Sequence, residues 1–457
     1  MVDLPDDVWL HIATFLTASD IWQLRSTNRI FLGIALDNRY RVVVIPSSTY
    51  ETKDFALQFQ RFGCVQSTIF FDPCQILKSN NHSQPGISNR VRTLCFREHA
   101  YGASQFGSPL PQSGWKRPIA YLRYSVQSLL LEQEKEMTRV ISKFSNLSTV
   151  EVRCMNMSAR LFTTGLSNIL ATWRSSRETL RTIVLFIHIQ STPALLPHDL
   201  HFPNLETLSI TLCNSSNPPQ SSVLAPTTPS SLLENRVFPF IMRNTSCLRS
   251  LEIFYPDVDF TTIFRELRSV LKLKTLSFKL PNAPEINLSI IKQFLESQCN
   301  TIKSLTITLP TTPTPDACRI FPLLSHIFCP MPSVQTLCVN ANPDYEVLAP
   351  PDFLEHLLVS FGALTYLKLV HMILDGDTLV SFFVSTPGLP SFSTLTSVQV
   401  KINTLSSTLM ELFATHLVAL KELYLTAFSL QRHAGDHDSR NGLEVRPVGE
   451  IHSYLLN

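Results

Sequence analysis

The chain has 457 residues, of which 44% are hydrophobic and 16% charged, and its formal net charge is +2. That length admits several domains or one long solenoid. The near-neutral balance excludes the basic footprint of a nucleic-acid or anionic-membrane binder. Only 13 residues are glycine, less than half the usual share of about 7%, which argues against nucleotide-binding folds built on glycine loops. No apolar run is long enough for a transmembrane helix, and Asp3, Asp6 and Asp7 stand where a signal peptide needs basic residues. The 10 cysteines contain no Cys-x-x-Cys pair. They read as buried small side chains of a reduced compartment, cytoplasmic and/or nuclear.

In chain order, the first pattern is helical. Leu4-Pro5-Asp6-Asp7-Val8 opens it, with Pro5 suited to the first helical position and the two acids to the helix dipole. Val8, Ile12 and Phe15/Leu16 recur at helical spacing and form one apolar stripe. Thr17-Ala18-Ser19-Asp20 predicts a capping box before a second helix bearing Ile21 and Leu24. Thr27 is the expected cap of a third helix with Phe31, Ile34 and Ala35. Three helices in about forty residues cannot bury all this surface among themselves.

These residues resemble an F-box, the helical module that docks a protein onto a Skp-type adaptor. The likeness covers roughly residues 3–41, begins with the Leu-Pro-x-Asp/Glu-hydrophobic signature at Leu4–Val8, and continues through Ile12, Phe15, Leu16, Asp20, Ile21 and Leu24. It departs at Phe31, where the family often has Trp, and at Thr27-Asn28, where it often has Val-Cys. The resemblance implies an adaptor-binding face made of Leu4, Pro5, Val8, Ile12, Phe15, Leu16, Ile21 and Leu24.

The rest of the chain carries a hexad, apolar-x-x-apolar-x-apolar. It occurs at Val91/Leu94/Phe96, Leu147/Val150/Val152, Leu180/Ile183/Leu185, Leu205/Leu208/Ile210 and Leu248/Leu251/Ile253. It continues at Leu273/Leu276/Phe278, Ile302/Leu305/Ile307, Val334/Leu337/Val339, Leu364/Leu367/Leu369, Leu395/Val398/Val400 and Leu420/Leu423/Leu425. Apart from one longer gap between Leu208 and Leu251, the middle residues from Val150 onward recur roughly every 25–33 positions. The alternation predicts a short strand with one buried face. Helical patterns fall between hexads, at Thr262–Leu271, Glu285–Gln298, Asp352–Phe361, Asp377–Thr386 and Ser406–Val418. Strand, helix, strand at this spacing reads as parallel crossover units, and stacked units share a core that one unit lacks.

This part resembles the leucine-rich-repeat superfamily in an irregular form. Only Cys213, Asn342 and Asn403 occupy the asparagine/cysteine consensus position, and Pro256, Pro281 and Pro310 stand there in three repeats. The fold expected is therefore an α/β solenoid. It would be an irregular leucine-rich-repeat horseshoe, with parallel strands and helices on the convex side, preceded by a small three-helix F-box. The boundaries expected are 1–45 for the F-box, 46–90 for a connecting segment, 91–430 for the solenoid and 431–457 for a tail that caps the last repeat or hangs free. Glu98–Pro118 and Asn214–Ser231, rich in Pro, Ser and Thr, read as loops.

No catalytic or metal motif stands out. His198, Asp199 and His201 lie between Pro197 and Pro203 and read as a loop, and His433, Asp436, His437 and Asp438 as a solvated tail. Asp375-Gly376-Asp377 reads as a turn with Asp377 capping the next helix. More telling is the hexad position before the second apolar residue. It is Thr or Ser at Thr93, Thr149, Thr182, Thr207, Ser250, Thr275, Ser304, Thr336 and Ser397, which stacked strands would align into a column. One residue earlier the chain is often basic, at Arg92, Arg181, Arg249, Lys274, Lys303 and Lys421. Arg249, Lys274 and Lys303, with Ser250, Thr275 and Ser304, form a candidate substrate-binding ridge.

An F-box followed by leucine-rich repeats resembles the substrate receptors of Skp–cullin–F-box ubiquitin ligases. The resemblance implies a non-enzymatic protein with no cofactor and no metal. Its partners would be a Skp-type adaptor, through it a cullin ligase, and an unidentified protein substrate, with no nucleic acid and no membrane. The alternative is a scaffold that binds the adaptor and a stable partner without ligase function.

Overall fold

The computed structural model of the protein describes residues 5–46, 69–70, 87–97, 138, 141–142, 144–154, 159–213, 228–255, 261–268, 273–280, 287–310, 320–341, 347–386, 390–430 and 451–455. The chain divides into two compact units, Met1–Cys247 and Leu248–Asn457.

The first unit starts with three helices, α1 (Asp6–Ala13), α2 (Ala18–Leu24) and α3 (Arg29–Tyr40). Pro5 is the N-cap of α1 and not its first helical residue, so Asp6 and Asp7 fill the first turn. The capping box at α2 forms as its spacing predicts. Asp20 N donates to Thr17 Oγ1 at 3.2 Å, and Thr17 N to Asp20 Oδ2 at 3.1 Å. Asn28, not Thr27, caps α3, its Oδ1 accepting from Ile30 N at 2.7 Å. Thr27 Oγ1 turns back to donate to Leu24 O at 2.6 Å. The helices close on a small core of Ala13, Ile21, Phe31 and Ala35, with Trp9 edge-on to Phe31 at 5.4 Å.

One residue, Arg41, separates α3 from the first strand. The strands of this unit are β1 (Val42–Pro46), β2 (Ile69–Phe70), β3 (Thr93–Arg97), β4 (Thr149–Cys154), β5 (Thr182–His188) and β6 (Thr207–Cys213). They are parallel in the order β2-β1-β3-β4-β5-β6. The sheet thus begins at Val42, inside the segment expected to belong to the helical module, and β2 lies within the expected connecting segment. Leu94, Val150, Ile183 and Leu208 are in register and fully buried. The helix Ala159–Ser175 brings Trp173 under the sheet, edge-on to Phe202 at 5.5 Å, with its Nε1 donating to Leu195 O at 3.1 Å. The last residues expected to be loop, from Pro229, begin the helix Pro229–Leu232 capped by Thr228. Residues 214–227 and 98–118 lie outside the described residues.

The second unit has β7 (Ser250–Phe254), β8 (Thr275–Lys279), β9 (Ser304–Thr308), β10 (Thr336–Asn340), β11 (Val347–Leu348), β12 (Tyr366–Leu374), β13 (Ser397–Leu405), β14 (Glu422–Leu430) and β15 (Ile451–Leu455). Strands β7 to β10 and β12 to β14 are parallel neighbours in sequence order, with β11 beside the end of β12. The helices expected here form at Thr261–Leu267, Leu288–Ser297, Pro351–Ser360, Gly376–Ser385 and Ser407–His416, and a further one at Ile320–Ile327. Leu251, Leu276, Leu305, Leu337, Leu367, Val398 and Leu423 stack in one buried column. Burying each such side chain contributes roughly 1.5–3 kcal/mol. The tail does return to the sheet: β15 pairs antiparallel with β14 and covers its edge.

Both units are therefore strand–helix repeats of an α/β solenoid. Each hexad supplies one strand, and the residues between supply the connection back.

Candidate interaction surfaces

In the helical module, burial sorts the residues of the expected adaptor face into three groups. Pro5, Val8 and Phe15 are exposed, Phe15 at 77%. Ile12, Leu16 and Leu24 are half-buried and pack against the module's own core. Ile21 is 5% exposed and belongs to that core, so its side chain is not offered to a partner. Leu4 lies outside the described residues. Two exposed apolar residues were not in the expected set, Leu10 at 52% and Leu32 at 42%. The signal for Leu10 was its place off the Val8–Ile12–Phe15 stripe. A helix satisfied by its own core would carry a polar residue there.

Arg90 fastens this module to the repeats. Its Nη1 donates to Gly33 O at 2.9 Å and to Asp37 Oδ1 at 2.5 Å, both on α3. Arg92 N and Thr93 N then donate to Arg41 O, at 3.0 and 2.9 Å, which ties the end of α3 to β3.

The hydroxyl column forms in both units. Thr93, Thr149, Thr182 and Thr207 are in register on β3 to β6. Ser250, Thr275, Ser304 and Thr336 are in register on β7 to β10, and Tyr366, Ser397 and Glu422 continue the row on β12 to β14. Each directly precedes a buried apolar residue of its strand, and all but Ser397, which is 5% exposed, are themselves half-buried or exposed. Ser397 Oγ donates to Glu422 Oε2 at 3.1 Å. Burial raises the pKa of the Tyr366 phenol, with Cys338, Tyr424 and Glu422 adding smaller contributions.

The basic ridge also forms. Lys274 N and Thr275 N donate to Arg249 O at 2.7 and 3.0 Å, and Lys303 N and Ser304 N to Lys274 O at 2.8 and 3.0 Å. These bonds set Arg249, Lys274 and Lys303 side by side at the starts of three adjacent strands. All three are exposed, and the hydroxyl residues that follow them are half-buried.

A polar knot closes one turn of the second unit. Asp375, not Asp377, caps the helix Gly376–Ser385, its Oδ2 accepting from Thr378 N at 2.9 Å. Asn403 Nδ2 donates to Asp375 Oδ1 at 2.6 Å, and Asn403 Oδ1 accepts from Gly376 N at 2.8 Å. Bonds from the Thr378 side chain and then Asn403 hold the Asp375 carboxyl below its usual pKa. A side chain on Gly376 would meet Thr404 O at 2.1 Å, so only glycine fits. Asn403 is one of the three consensus-position residues. Cys213, another, reaches Ile187 O through its Sγ at 3.4 Å, and Asn342 lies outside the described residues.

His198 and Asp199 sit in a turn and His201 in irregular chain, as expected. The His433–Asp438 cluster lies outside the described residues. Among the described residues no helix is long and apolar enough to cross a membrane.

No family model matches the sequence, and no curated protein matches it. Among solved structures, the leucine-rich-repeat-containing protein LegL7 from Legionella pneumophila is similar, with 10% sequence identity and a TM-score of 0.34 over 64% of this chain and 87% of that one.

Proposed function

We propose that this protein is the non-catalytic substrate-recognition subunit of a Skp–cullin–F-box type ubiquitin ligase. The strand–helix solenoid is a protein-interaction fold in kind, and the helical module adds a second, separate docking element. The observation that carries the reading is that this module folds on a core of four buried residues yet keeps Val8, Leu10, Phe15 and Leu32 exposed. Exposed apolar side chains on so small a module mark a docking surface. Pro5 is exposed with them, and Ile12, Leu16 and Leu24 are half-buried against the module's core. The receptor breaks no bond. It raises the effective concentration of a substrate lysine beside a ubiquitin-loaded enzyme recruited through the cullin arm.

The test is capture of a Skp-type adaptor by the full chain. Replacing Val8 and Phe15 together by Asp should abolish capture, because each carboxylate must be desolvated against apolar surface. Both residues are exposed, so folding should be unaffected. Capture at wild-type yield by the double variant refutes the docking face. A cullin recovered with the adaptor supports the ligase reading, and an adaptor complex without cullin supports the scaffold.

A further inference from the structure

We infer that the ridge Arg249–Lys274–Lys303 is the recognition site for a short acidic segment, rich in Asp and Glu, of a protein partner. The inference rests on the reading of the repeats as the substrate-receiving half of the molecule, and it names the chemistry of what they receive.

Three observations carry it. The first is registry: the backbone bonds that pair Arg249 with Lys274 and Lys274 with Lys303 place the three cations on consecutive strands. Neighbouring strands lie about 4.8 Å apart, so the ridge spans two spacings, which an extended peptide covers in about three residue steps. A run of about four acidic residues therefore matches its length. The second is availability. Among the described residues, none of the three makes an ion pair, and all are exposed. Like charges side by side on adjacent strands destabilise a sheet, and an anionic ligand removes that repulsion. The third is the company they keep. Ser250, Thr275 and Ser304 form a registered hydroxyl row beside the ridge, able to donate to carboxylate oxygens that the cations attract. The ridge ends at Lys303, because the following strands are preceded by the uncharged Gln335, Thr365 and Thr396.

The experiment uses the full chain and three fluorescein-labelled probes, hexaglutamate, hexalysine and a Gly-Ser hexapeptide, read by fluorescence anisotropy at low salt. The wild type should bind hexaglutamate alone. The triple variant Arg249→Gln/Lys274→Gln/Lys303→Gln should weaken that binding about tenfold or more, the combined effect of three exposed ion pairs. Lys421→Gln removes an exposed cation before β14, away from the ridge, and should change affinity by less than about twofold. Melting of the triple variant at or slightly above the wild-type temperature confirms its fold. If it melts early, the single variants Lys274→Gln and Lys274→Glu replace it, with the reversal expected to weaken binding more. No binding by the wild type, equal binding of hexalysine, retention of affinity by the ridge variants, or equal loss in Lys421→Gln overturns the inference. Adaptor capture is measured on the same proteins. Its persistence when peptide binding is absent separates failure of this inference from failure of the docking reading.

Discussion

Cations precede strands in both units, and their surroundings differ. In the first unit Arg181 pairs with Glu206 at 3.1 Å, and Arg92 donates to Asn146 O at 3.3 Å. In the second, Arg249, Lys274 and Lys303 follow one another with no carboxylate between them. The difference comes from one residue type at the equivalent place on the next strand. Glu206 precedes Thr207 just as Arg181 precedes Thr182, so the stacked pair is self-neutralising. Where the next strand again brings a cation, the charge accumulates. A repeat position is thus neutralised or left charged by its neighbours across the sheet, not by its own identity.

Beneath the rims the two units are alike, and the largest predicted effects test that likeness. Ile183 and Leu337 are both fully buried at the same strand position. Truncation of either to Ala should cost about 2–5 kcal/mol in chemical denaturation. Thr182→Ala and Thr336→Ala, on the opposite face, should each cost within roughly 1 kcal/mol. Equal losses from the inward and outward residues of one strand would break the registry on which the ridge depends.

A smaller effect separates the units by their helix caps. Asp20 and Asp375 are both hydrogen-bonded by a threonine, and both carboxyls titrate below the usual value of 3.8. Asp375 alone has the further bond from Asn403. A folded-state pKa below the unfolded one gives stability that is present above the unfolded value and lost as pH falls through the folded one. Asn403→Ala should therefore lower stability at neutral pH by about 1–3 kcal/mol, since Gly376 N also loses its acceptor. It should also shrink the loss seen on acidification below pH 3.8, whereas Thr17→Ala should leave that part of the acid limb unchanged. A neutral-pH stability unchanged by Asn403→Ala would show that water replaces its bonds at no cost.

Much of this organisation is legible in the sequence because a single physical rule generates it. Alternating apolar residues bury one face, and the hexads place β3 to β6 in register in the first unit, and β7 to β10 and the starts of β12 to β14 in the second, with no further information. Features that depend on a distant partner escape. Asp375 and Asp377 are equally good caps locally, and the choice between them depends on Asn403, which sits on another strand. Thr27 and Asn28 differ only in which side chain reaches Ile30 N. The run Val42-Val43-Val44-Ile45 is β-branched enough to announce β1, yet it directly follows a helix without a turn signal and lacks the hexad. Strands β12 to β14 extend to nine residues each, past the hexad, and β12 does so through a bulge that puts His371 at φ 58. Of the face expected to meet an adaptor, the helical spacing on α1 was legible in the sequence. The burial of Ile21 was not, because an apolar residue at helical spacing looks the same whether it meets its own core or a partner.

The smallest effect gives the opening comparison its sharpest form, because it predicts opposite signs. Arg181 and Glu206 are partly exposed, at 66% and 35% of their side-chain surface, so their pair contributes about 0–1 kcal/mol. Arg181→Gln removes an attraction and should lower the melting temperature slightly. Lys274 stands between two like charges and has no anion to lose, so Lys274→Gln removes two repulsions and should raise the melting temperature slightly. Both shifts are electrostatic and should shrink in high salt, where the screening length falls to about 3 Å at 1 M. Melting curves of the two variants at low and high salt supply all four values. If Lys274→Gln destabilises as Arg181→Gln does, then Lys274 is already satisfied by the chain itself. The ridge would then be neutralised as the first unit's cations are, and the contrast between the units would disappear.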